Sequence, residues 1–159
     1  MTIRIVCVGR IKEAFYREAA AEYLKRLSRY AKTEVVEVGD EKTPDHAPQA
    51  EEEIILGREG ARILGKLRPS DYVIALAIKG RSFDSVAFSK HLDALAMSGK
   101  STLVFVIGGS LGLSRDVLQR ADECISFSAM TFPHQLMRVI LLEQLYRAAR
   151  ISAGEPYHK

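Results

Sequence analysis

The chain has 159 residues, of which 47% are hydrophobic and 27% charged, proportions that are typical of one folded domain and exclude a disordered protein as the default. The longest apolar run, Tyr72–Ile78, is far shorter than the roughly 20 residues of a membrane helix, and the opening residues leave no room for a signal-peptide core before the first charges. Two cysteines, Cys7 and Cys124, are too few for a disulfide framework or a zinc site made of cysteines. We therefore expect a single cytoplasmic domain over residues 1–159, with no metal and no membrane segment.

The net charge of +3 is too small to announce a nucleic-acid-binding protein, but the charges are unevenly distributed. Residues 10–32 are rich in lysine and arginine, whereas residues 39–59 are rich in aspartate and glutamate. The simplest interpretation is two solvated helix faces of opposite sign, because mixed-sign surfaces are common. The alternative is a basic face that meets phosphate groups.

The first half of the chain alternates two predicted strands with two predicted helices. Ile3–Val8 is a short β-branched run, and Thr33–Val38 alternates polar and apolar residues, so both patterns predict strands. Between them, Glu13–Arg29 carries apolar residues at helical spacing. The prolines and aspartates of residues 39–50 predict a loop. Glu51–Leu67 then predicts a helix with three glutamates in its first turn, where the helix dipole favours acidic side chains.

The second half continues the alternation. Its predicted elements are, in chain order, the strand Tyr72–Ile78, the helix Ser85–Met97, the strand Thr102–Ile107, a short helix from the Ser114 cap to Arg120, the strand Cys124–Phe127 and the helix Gln135–Ser152. The strands that begin at Tyr72 and Thr102 are apolar on both faces, as central parallel strands require. Five strand–helix repeats predict an α/β domain with a mostly parallel sheet and helices on both faces.

Three predicted strands end in segments that suit a ligand, because open parallel sheets bind ligands beyond the carboxyl ends of their strands. These segments are Leu76–Gly80, Gly108–Gly112 and Phe127–His134. They offer backbone groups, small residues and a few apolar side chains, which suit an uncharged or zwitterionic heterocycle better than a phosphate. A tight glycine turn with no ligand explains Gly108–Gly112 about equally well.

The sequence partly matches two nucleotide-binding motifs, and neither match is complete. Gly99-Lys100-Ser101 ends like a phosphate-binding P-loop, but the position of the required earlier glycine holds Ala94, and the segment precedes a strand instead of following one. Gly108–Gly112 does follow a strand, yet it does not match the dinucleotide-binding pattern. A nucleotide-dependent enzyme is therefore a weak alternative.

The last helix and the tail carry two further signals. The first half of Gln135–Ser152 is apolar nearly all round, which favours a subunit interface and fits a central core helix equally well. Gly154 and Pro156 are expected to end this helix and detach the tail Tyr157-His158-Lys159 from the core. Taken singly, His134 and His158 are typical of structural or exposed histidines, but an aromatic residue is unusual in a tail that merely frays.

Taken together, four segments closely resemble the RlmH family of the SPOUT class of RNA methyltransferases. They are Val106–Leu113, Ser126–Gln135, Leu145–Ala148 and Pro156–Lys159. The resemblance covers the whole chain and implies methylation of N3 of a pseudouridine in 23S (large-subunit) ribosomal RNA, with S-adenosylmethionine as the methyl donor. It also implies a homodimer through the helix from Gln135 and a deep trefoil knot near the C-terminus, which strand and helix periodicity does not reveal.

The resemblance further implies which residues hold the methyl donor, and they lie at the three strand ends selected above. They are Leu76, Gly108, Phe127, Ser128, Ala129, Met130, Thr131 and Phe132. Methyl transfer requires loss of the N3 proton and stabilisation of the developing imide anion. The candidates for this catalysis are Arg138, Tyr157 and His158, together with His134 and Lys159.

The RNA partner, which we expect within the assembled ribosome, is expected to contact the basic helix Glu13–Arg29 through its shape and phosphates. A competing interpretation is a non-catalytic ribosome-associated module that docks through the same helix. Binding of S-adenosylmethionine discriminates between the two, because only the enzyme requires it.

Overall fold

The computed structural model describes all residues from 1 to 159 and contains ten elements in strict alternation of strand and helix. The strands are β1 (Thr2–Val8), β2 (Lys32–Val38), β3 (Tyr72–Ser82), β4 (Thr102–Ile107) and β5 (Glu123–Ser126). The helices are α1 (Ala14–Leu27), α2 (Gln49–Leu64), α3 (Ser85–Met97), α4 (Arg115–Arg120) and α5 (His134–Ser152). Every predicted element is present, which confirms the predicted order.

The five strands form one sheet in the order β2-β1-β4-β3-β5, and every neighbouring pair is parallel. Helices α1, α3 and α5 pack over one face of the sheet, while α2 and α4 pack over the other. The predicted α/β architecture is therefore confirmed. No helix has both the length and the apolar character needed to cross a membrane.

Alternating side chains of the central strands build two separate cores, because successive residues of a strand point to opposite faces. Ile5 and Phe105 are buried under α1, α3 and α5, whereas Val6 and Val104 are buried under α2 and α4. Residues of β2 alternate in exposure because this strand lies at the sheet edge. The apolar character of β1, β3 and β4 thus follows from their central positions.

Strand β3 departs from the prediction, which ended it at Ile78. Its pairing with β5 is irregular, since Ile125 lies opposite both Leu76 and Arg81 and the intervening residues leave the ladder. The strand then resumes and ends at Ser82. A Cβ at Gly80 would lie 2.6 Å from the backbone carbon of Ile125, so only glycine lets β3 return this close to β5. The excursion carries residues 77–79 outward at the carboxyl end of the sheet.

Helix α5 lies between α1 and α3, and the chain after it folds back instead of detaching as predicted. Gly154 has φ +68°, a conformation that favours glycine and that ends the helix. Arg150 Nη1 then lies 2.6 Å from Glu155 Oε2, and Arg150 Nη2 donates to the Pro156 carbonyl at 2.8 Å. The hydroxyl of Tyr30 also donates to Glu155, at 3.0 Å. These contacts hold the start of the tail against α5 and the turn that follows α1.

Candidate functional site

A cavity of about 430 Å³ opens where the carboxyl ends of β3, β4 and β5 meet; we call it the strand-end cavity. Seven of the eight residues predicted to hold a ligand line it: Leu76, Gly108, Phe127, Ser128, Met130, Thr131 and Phe132. The eighth, Ala129, is exposed and does not line it. Three segments far apart in the sequence therefore converge on one cavity, as the strand-end rule requires.

The glycine segment forms one wall of this cavity as a closed loop. The Gly112 amide donates to the Gly109 carbonyl at 3.1 Å, and Gly112 has φ +87°. A Cβ at Gly108 would collide with the Gly112 carbonyl. Gly108 must therefore stay small to let the loop close on itself, so that its backbone, not a side chain, faces the cavity.

A buried carboxylate, Glu59 of α2, supports this loop from behind. Its Oε2 accepts the Glu41 amide at 2.9 Å, and a Cβ at Gly109 would lie 3.2 Å from Oε1. Oε1 is buried and has no hydrogen-bond partner, and desolvation raises the pKa of the carboxyl. No sequence motif distinguishes Glu59 from the other glutamates of its helix, so only the three-dimensional packing identifies it.

The segment after β5 forms the opposite wall of the cavity. The Ser126 hydroxyl donates to the Ser128 carbonyl at 3.1 Å, and the Met130 amide donates to the Ser128 hydroxyl at 2.9 Å. These two bonds fix a compact turn. The Met130 side chain at its tip is 75% exposed.

His134, at the first turn of α5, also lines the strand-end cavity. Desolvation lowers the pKa of its imidazole, and the neighbouring Arg138 guanidinium lowers it further. The imidazole is therefore neutral at neutral pH. From the sequence, His134 is only one of several catalytic candidates. Three further lining residues are not predicted, namely Leu113 of the loop before α4, Leu118 of α4 and Met137 of α5.

Arg138 lies one turn further along α5 and faces away from the strand-end cavity. It is 4% exposed, its Nη1 lies 2.6 Å from Glu37 Oε2, and its Nη2 donates to the Gly9 carbonyl at 3.1 Å. A Cβ at Gly9 would lie 3.7 Å from His134 Nε2. His134 and Arg138 therefore both lie next to the same glycine.

The predicted catalytic residues of the tail form a separate network on α5. The Tyr157 hydroxyl donates to Glu143 Oε1 at 3.1 Å, and its ring meets Tyr146 edge-on at 4.8 Å between centroids. The Arg147 guanidinium lies over the Tyr157 ring, at 4.7 Å from its centroid, and contacts His158 Nδ1 at 3.1 Å. Burial, together with the Glu143 carboxylate, raises the pKa of Tyr157 to about 12. This phenol is a hydrogen-bond donor at neutral pH.

Within one chain, the tail and the strand-end cavity lie on opposite sides of a shared wall. His158 borders a second cavity of about 570 Å³, whose apolar lining includes Phe83, Val86 and Ile140; we call it the aromatic cavity. Four residues line both cavities: Ile125, Ser126, Phe127 and Phe132. The structure contains no group of three or more His, Cys, Asp or Glu side chains placed to hold a metal ion.

Known proteins resemble this chain over its whole length. A family model described as "Predicted SPOUT methyltransferase" matches residues 1–158. A protein named ribosomal RNA large subunit methyltransferase H from Exiguobacterium sp. is 56% identical over 159 residues, which is all of both chains. A protein of the same name from Bacillus cytotoxicus is 55% identical, again over all of both chains.

Solved structures with much lower identity share the fold. A probable methylase family protein from Haemophilus influenzae Rd KW20 matches 99% of this chain and 70% of its own, with a TM-score of 0.56 at 15% identity. A probable methyltransferase from Bordetella pertussis Tohama I matches 92% of this chain and 95% of its own, with a TM-score of 0.55 at 16% identity. With the family model and the full-length relatives, this establishes that the chain belongs to the SPOUT methyltransferase family, in the group of the ribosomal RNA large subunit methyltransferase H proteins.

Proposed function

We propose that this protein transfers a methyl group from S-adenosylmethionine to N3 of a pseudouridine in large-subunit ribosomal RNA. One observation carries the proposal: the three segments on which the family resemblance places the donor converge on a single cavity. The names of the full-length relatives support the RNA substrate. The nucleotide and the atom that is methylated follow from the family resemblance alone.

The strand-end cavity fits the donor by size and by lining. Its volume of about 430 Å³ lies within the usual range for small-molecule sites, and most of its lining is apolar with backbone groups between. The closed loop at Gly108 presents main-chain atoms, which suit the edge of an adenine ring. A neutral His134 adds no positive charge beside a donor that carries a sulfonium cation. Leu76, Gly108 and residues 127–132 other than Ala129, which does not line the cavity, would hold the donor.

The transfer itself needs little covalent chemistry from the protein. The donor supplies an activated methyl group, and the acceptor nitrogen is an imide that must lose its proton and lie in line with the methyl carbon. Positioning therefore supplies most of the acceleration, and a cation or hydrogen-bond donor stabilises the imide anion. Tyr157, which stays protonated at neutral pH, and His158 suit that stabilising role. Arg138 acts through the backbone of Gly9, which its guanidinium binds.

We propose further that the active site is completed by a second copy of the chain. In one protomer the wall formed by Phe127 and Phe132 separates the tail from the strand-end cavity. A homodimer packed through α5 would bring the tail of each chain towards the cavity of its partner. The half-buried apolar residues Leu136 and Ile140 of α5 support such a contact. The family's trefoil knot, and action on the assembled ribosome in the cytoplasm, are part of this proposal.

Methylation of defined substrates tests the function. Ribosomes, large subunits and free ribosomal RNA from cells lacking the enzyme are incubated with the protein and labelled S-adenosylmethionine, and the nucleosides are then separated by mass spectrometry. We expect label in N3-methylpseudouridine from large-subunit RNA. Label in another nucleoside, or only in small-subunit RNA, contradicts the proposed substrate. A protein that binds neither donor nor its demethylated product is the non-catalytic module instead.

A further inference from the structure

A third cavity, of about 700 Å³, lies beside the first turn of α5, and nothing in the methyl-transfer site explains its lining. It is enclosed by the turn that follows β1, by α1, by β2 and by Arg138; we call it the basic cavity. Its charged lining consists of Arg10, Lys12, Arg17, Glu37 and Arg138.

The charges of this cavity are unbalanced. Glu37 is the one carboxylate in its lining, and Arg138 already neutralises it at 2.6 Å. Arg10, Lys12 and Arg17 form no ion pair within 4.0 Å of any carboxylate. Three cations therefore border one concave space without a counter-charge, which raises the local concentration of anions.

The turn that carries two of these cations is held in place before any ligand arrives. Arg17 Nη1 donates to the Lys12 carbonyl at 2.6 Å and to the Ile11 carbonyl at 3.2 Å. The Lys12 amide donates to Gln135 Oε1 at 3.1 Å, and Arg138 binds the Gly9 carbonyl. These bonds fix residues 9–12 against α5, so little ordering is required when an anion binds.

The position of the cavity connects it to the methyl-transfer site. His134 lines the strand-end cavity and Arg138 lines the basic cavity, one helical turn apart on α5, and both lie next to Gly9. A nucleotide whose base lies beside the methyl donor carries its phosphates within a few ångströms of that base. The basic cavity is thus placed to take a phosphate that flanks the target.

We propose that the basic cavity binds a backbone phosphate of the RNA substrate next to the methylated nucleotide, through Arg10, Lys12 and Arg17. This rests on the proposed function and locates its RNA contact. The far end of the basic helix is a poorer candidate, because its cations are partly neutralised within the chain. Arg26 lies 3.3 Å from Glu22, and Arg29 lies 3.9 Å from Glu155.

The test removes two cations that make no structural bond through their side chains. Arg10→Ala/Lys12→Ala is compared with Lys66→Ala/Lys90→Ala, which removes the same charge from exposed positions outside the cavity. Methylation of ribosomes is measured as kcat/KM over a range of salt concentrations, and donor affinity is measured by calorimetry. We expect the first variant to lose at least about tenfold in kcat/KM and to flatten the salt dependence by roughly one unit of slope for each lost phosphate contact. Its donor affinity should stay within about twofold of the original protein, as expected for a change outside the donor site.

Three outcomes overturn the inference. The cavity variant keeps the salt slope of the original protein, or both double variants fall by the same factor, or light scattering shows that the cavity variant has lost its oligomeric state. The last result would assign these cations to a contact between chains. A failure of the original protein to methylate ribosomes or ribosomal RNA would instead refute the proposed function, so the two failures are distinguishable.

Discussion

The strand-end cavity and the basic cavity are neighbours, yet they are built from opposite materials. The first is made of glycine backbone, a fixed turn and apolar side chains. Lys79 is the one charged residue in its lining, and the imidazole of His134 is neutral at pH 7. The second is made of four cations around one carboxylate. Both meet α5 at its first turns, so one helix end separates a cavity walled by backbone and apolar groups from a cavity lined by cations. We expect the first to recognise its ligand by shape and the second by charge.

The difference has practical consequences for how each cavity responds to change. A shape-recognising site fails when a single methyl group disturbs its wall, because close-packed walls have no room to relax. A charge-recognising site loses affinity gradually, cation by cation, and does so in proportion to counterion release. The strand-end cavity should therefore be sensitive to steric change and indifferent to salt, and the basic cavity the reverse.

The strongest test of this contrast adds one methyl group to the glycine loop. Gly108→Ala places a Cβ against the Gly112 carbonyl, so the loop must open and the cavity wall must move. We expect donor affinity, measured by calorimetry, to fall by at least about 100-fold, or 2.7 kcal/mol. The salt dependence of RNA binding should be unchanged.

The matched control is Gly57→Ala, since a Cβ at Gly57 would meet nothing within 4 Å. This exposed helical glycine should gain about 0.5 to 1 kcal/mol of stability when replaced by alanine, with donor affinity preserved. Equal donor affinity in Gly108→Ala and Gly57→Ala would remove the glycine loop from the donor site.

The second largest effect concerns whether either cavity works without a partner chain. Ile140 is half-buried at the edge of the aromatic cavity, whereas Leu142 is 0% exposed within the core of a single chain. Ile140→Asp should leave a folded monomer, because only an interface would bury the new charge. Light scattering should then show the monomer, with methyl transfer lost.

Leu142→Asp serves as the contrasting variant. It places a carboxylate in the core, at a cost of several kcal/mol, and should unfold the protein whatever its oligomeric state. An Ile140→Asp protein that is monomeric and fully active would refute the composite site. Both cavities would then be complete within one chain.

The two cavities also differ in how far the sequence predicts them. The strand-end cavity follows from a general rule, because strand ends can be located from runs such as Thr102–Ile107, and parallel strands end at the same edge. Its glycine loop can be recognised from the composition of residues 108–112. The sequence does not show why residue 108 must be glycine, because the collision of a Cβ with Gly112 depends on how the loop closes on itself.

The basic cavity has no comparable signal. Its residues come from the turn after β1, from α1, from β2 and from α5, and pairing Glu37 with Arg138 joins positions 101 residues apart. The sequence contains a visible basic stretch at residues 10–32. It does not reveal which of these cations lack a carboxylate partner in the folded protein. The excursion of β3 and the contact of Glu155 with Tyr30 were missed for the same reason, since each depends on contacts between distant segments.

The third largest effect concerns whether the tail contributes to methyl transfer at the strand-end cavity. Deleting Tyr157–Lys159 leaves Glu155 and Pro156, which make the anchoring contacts to Arg150, so the fold should persist. Single-turnover methyl transfer should fall by at least about tenfold, roughly 1.4 kcal/mol of transition-state stabilisation. Donor affinity should change little.

The melting temperature provides the control for the tail. The pKa of Tyr157 is raised to about 12 from its ordinary 10, so its contribution to stability is complete below pH 10 and is lost only as pH rises towards 12. At neutral pH the Tyr157→Phe protein, which keeps the ring and loses the hydroxyl bond to Glu143, should therefore melt slightly below the original protein, as expected for the loss of one hydrogen bond worth about 0.5 to 1.5 kcal/mol. If the truncated enzyme transfers methyl groups at the full rate, the tail has no part in catalysis.

The smallest predicted effect lies at the boundary between the two cavities. Desolvation and the Arg138 cation lower the pKa of His134 below its ordinary 6.5. The folded protein therefore favours the neutral imidazole, and this stability is complete above pH 6.5 and is lost as pH falls through the lower folded value.

Protonation of His134 would also place a second positive charge beside the sulfonium of the donor. We expect donor affinity to fall as the pH drops below 6.5, by about threefold to tenfold once the imidazole is protonated. His134→Gln, which cannot gain a proton there, should flatten this dependence while keeping the cavity filled. If calorimetry gives the same pH profile for both proteins, His134 does not face the charge of the donor, and the neutral boundary between the shape-recognising and charge-recognising sites belongs to another residue.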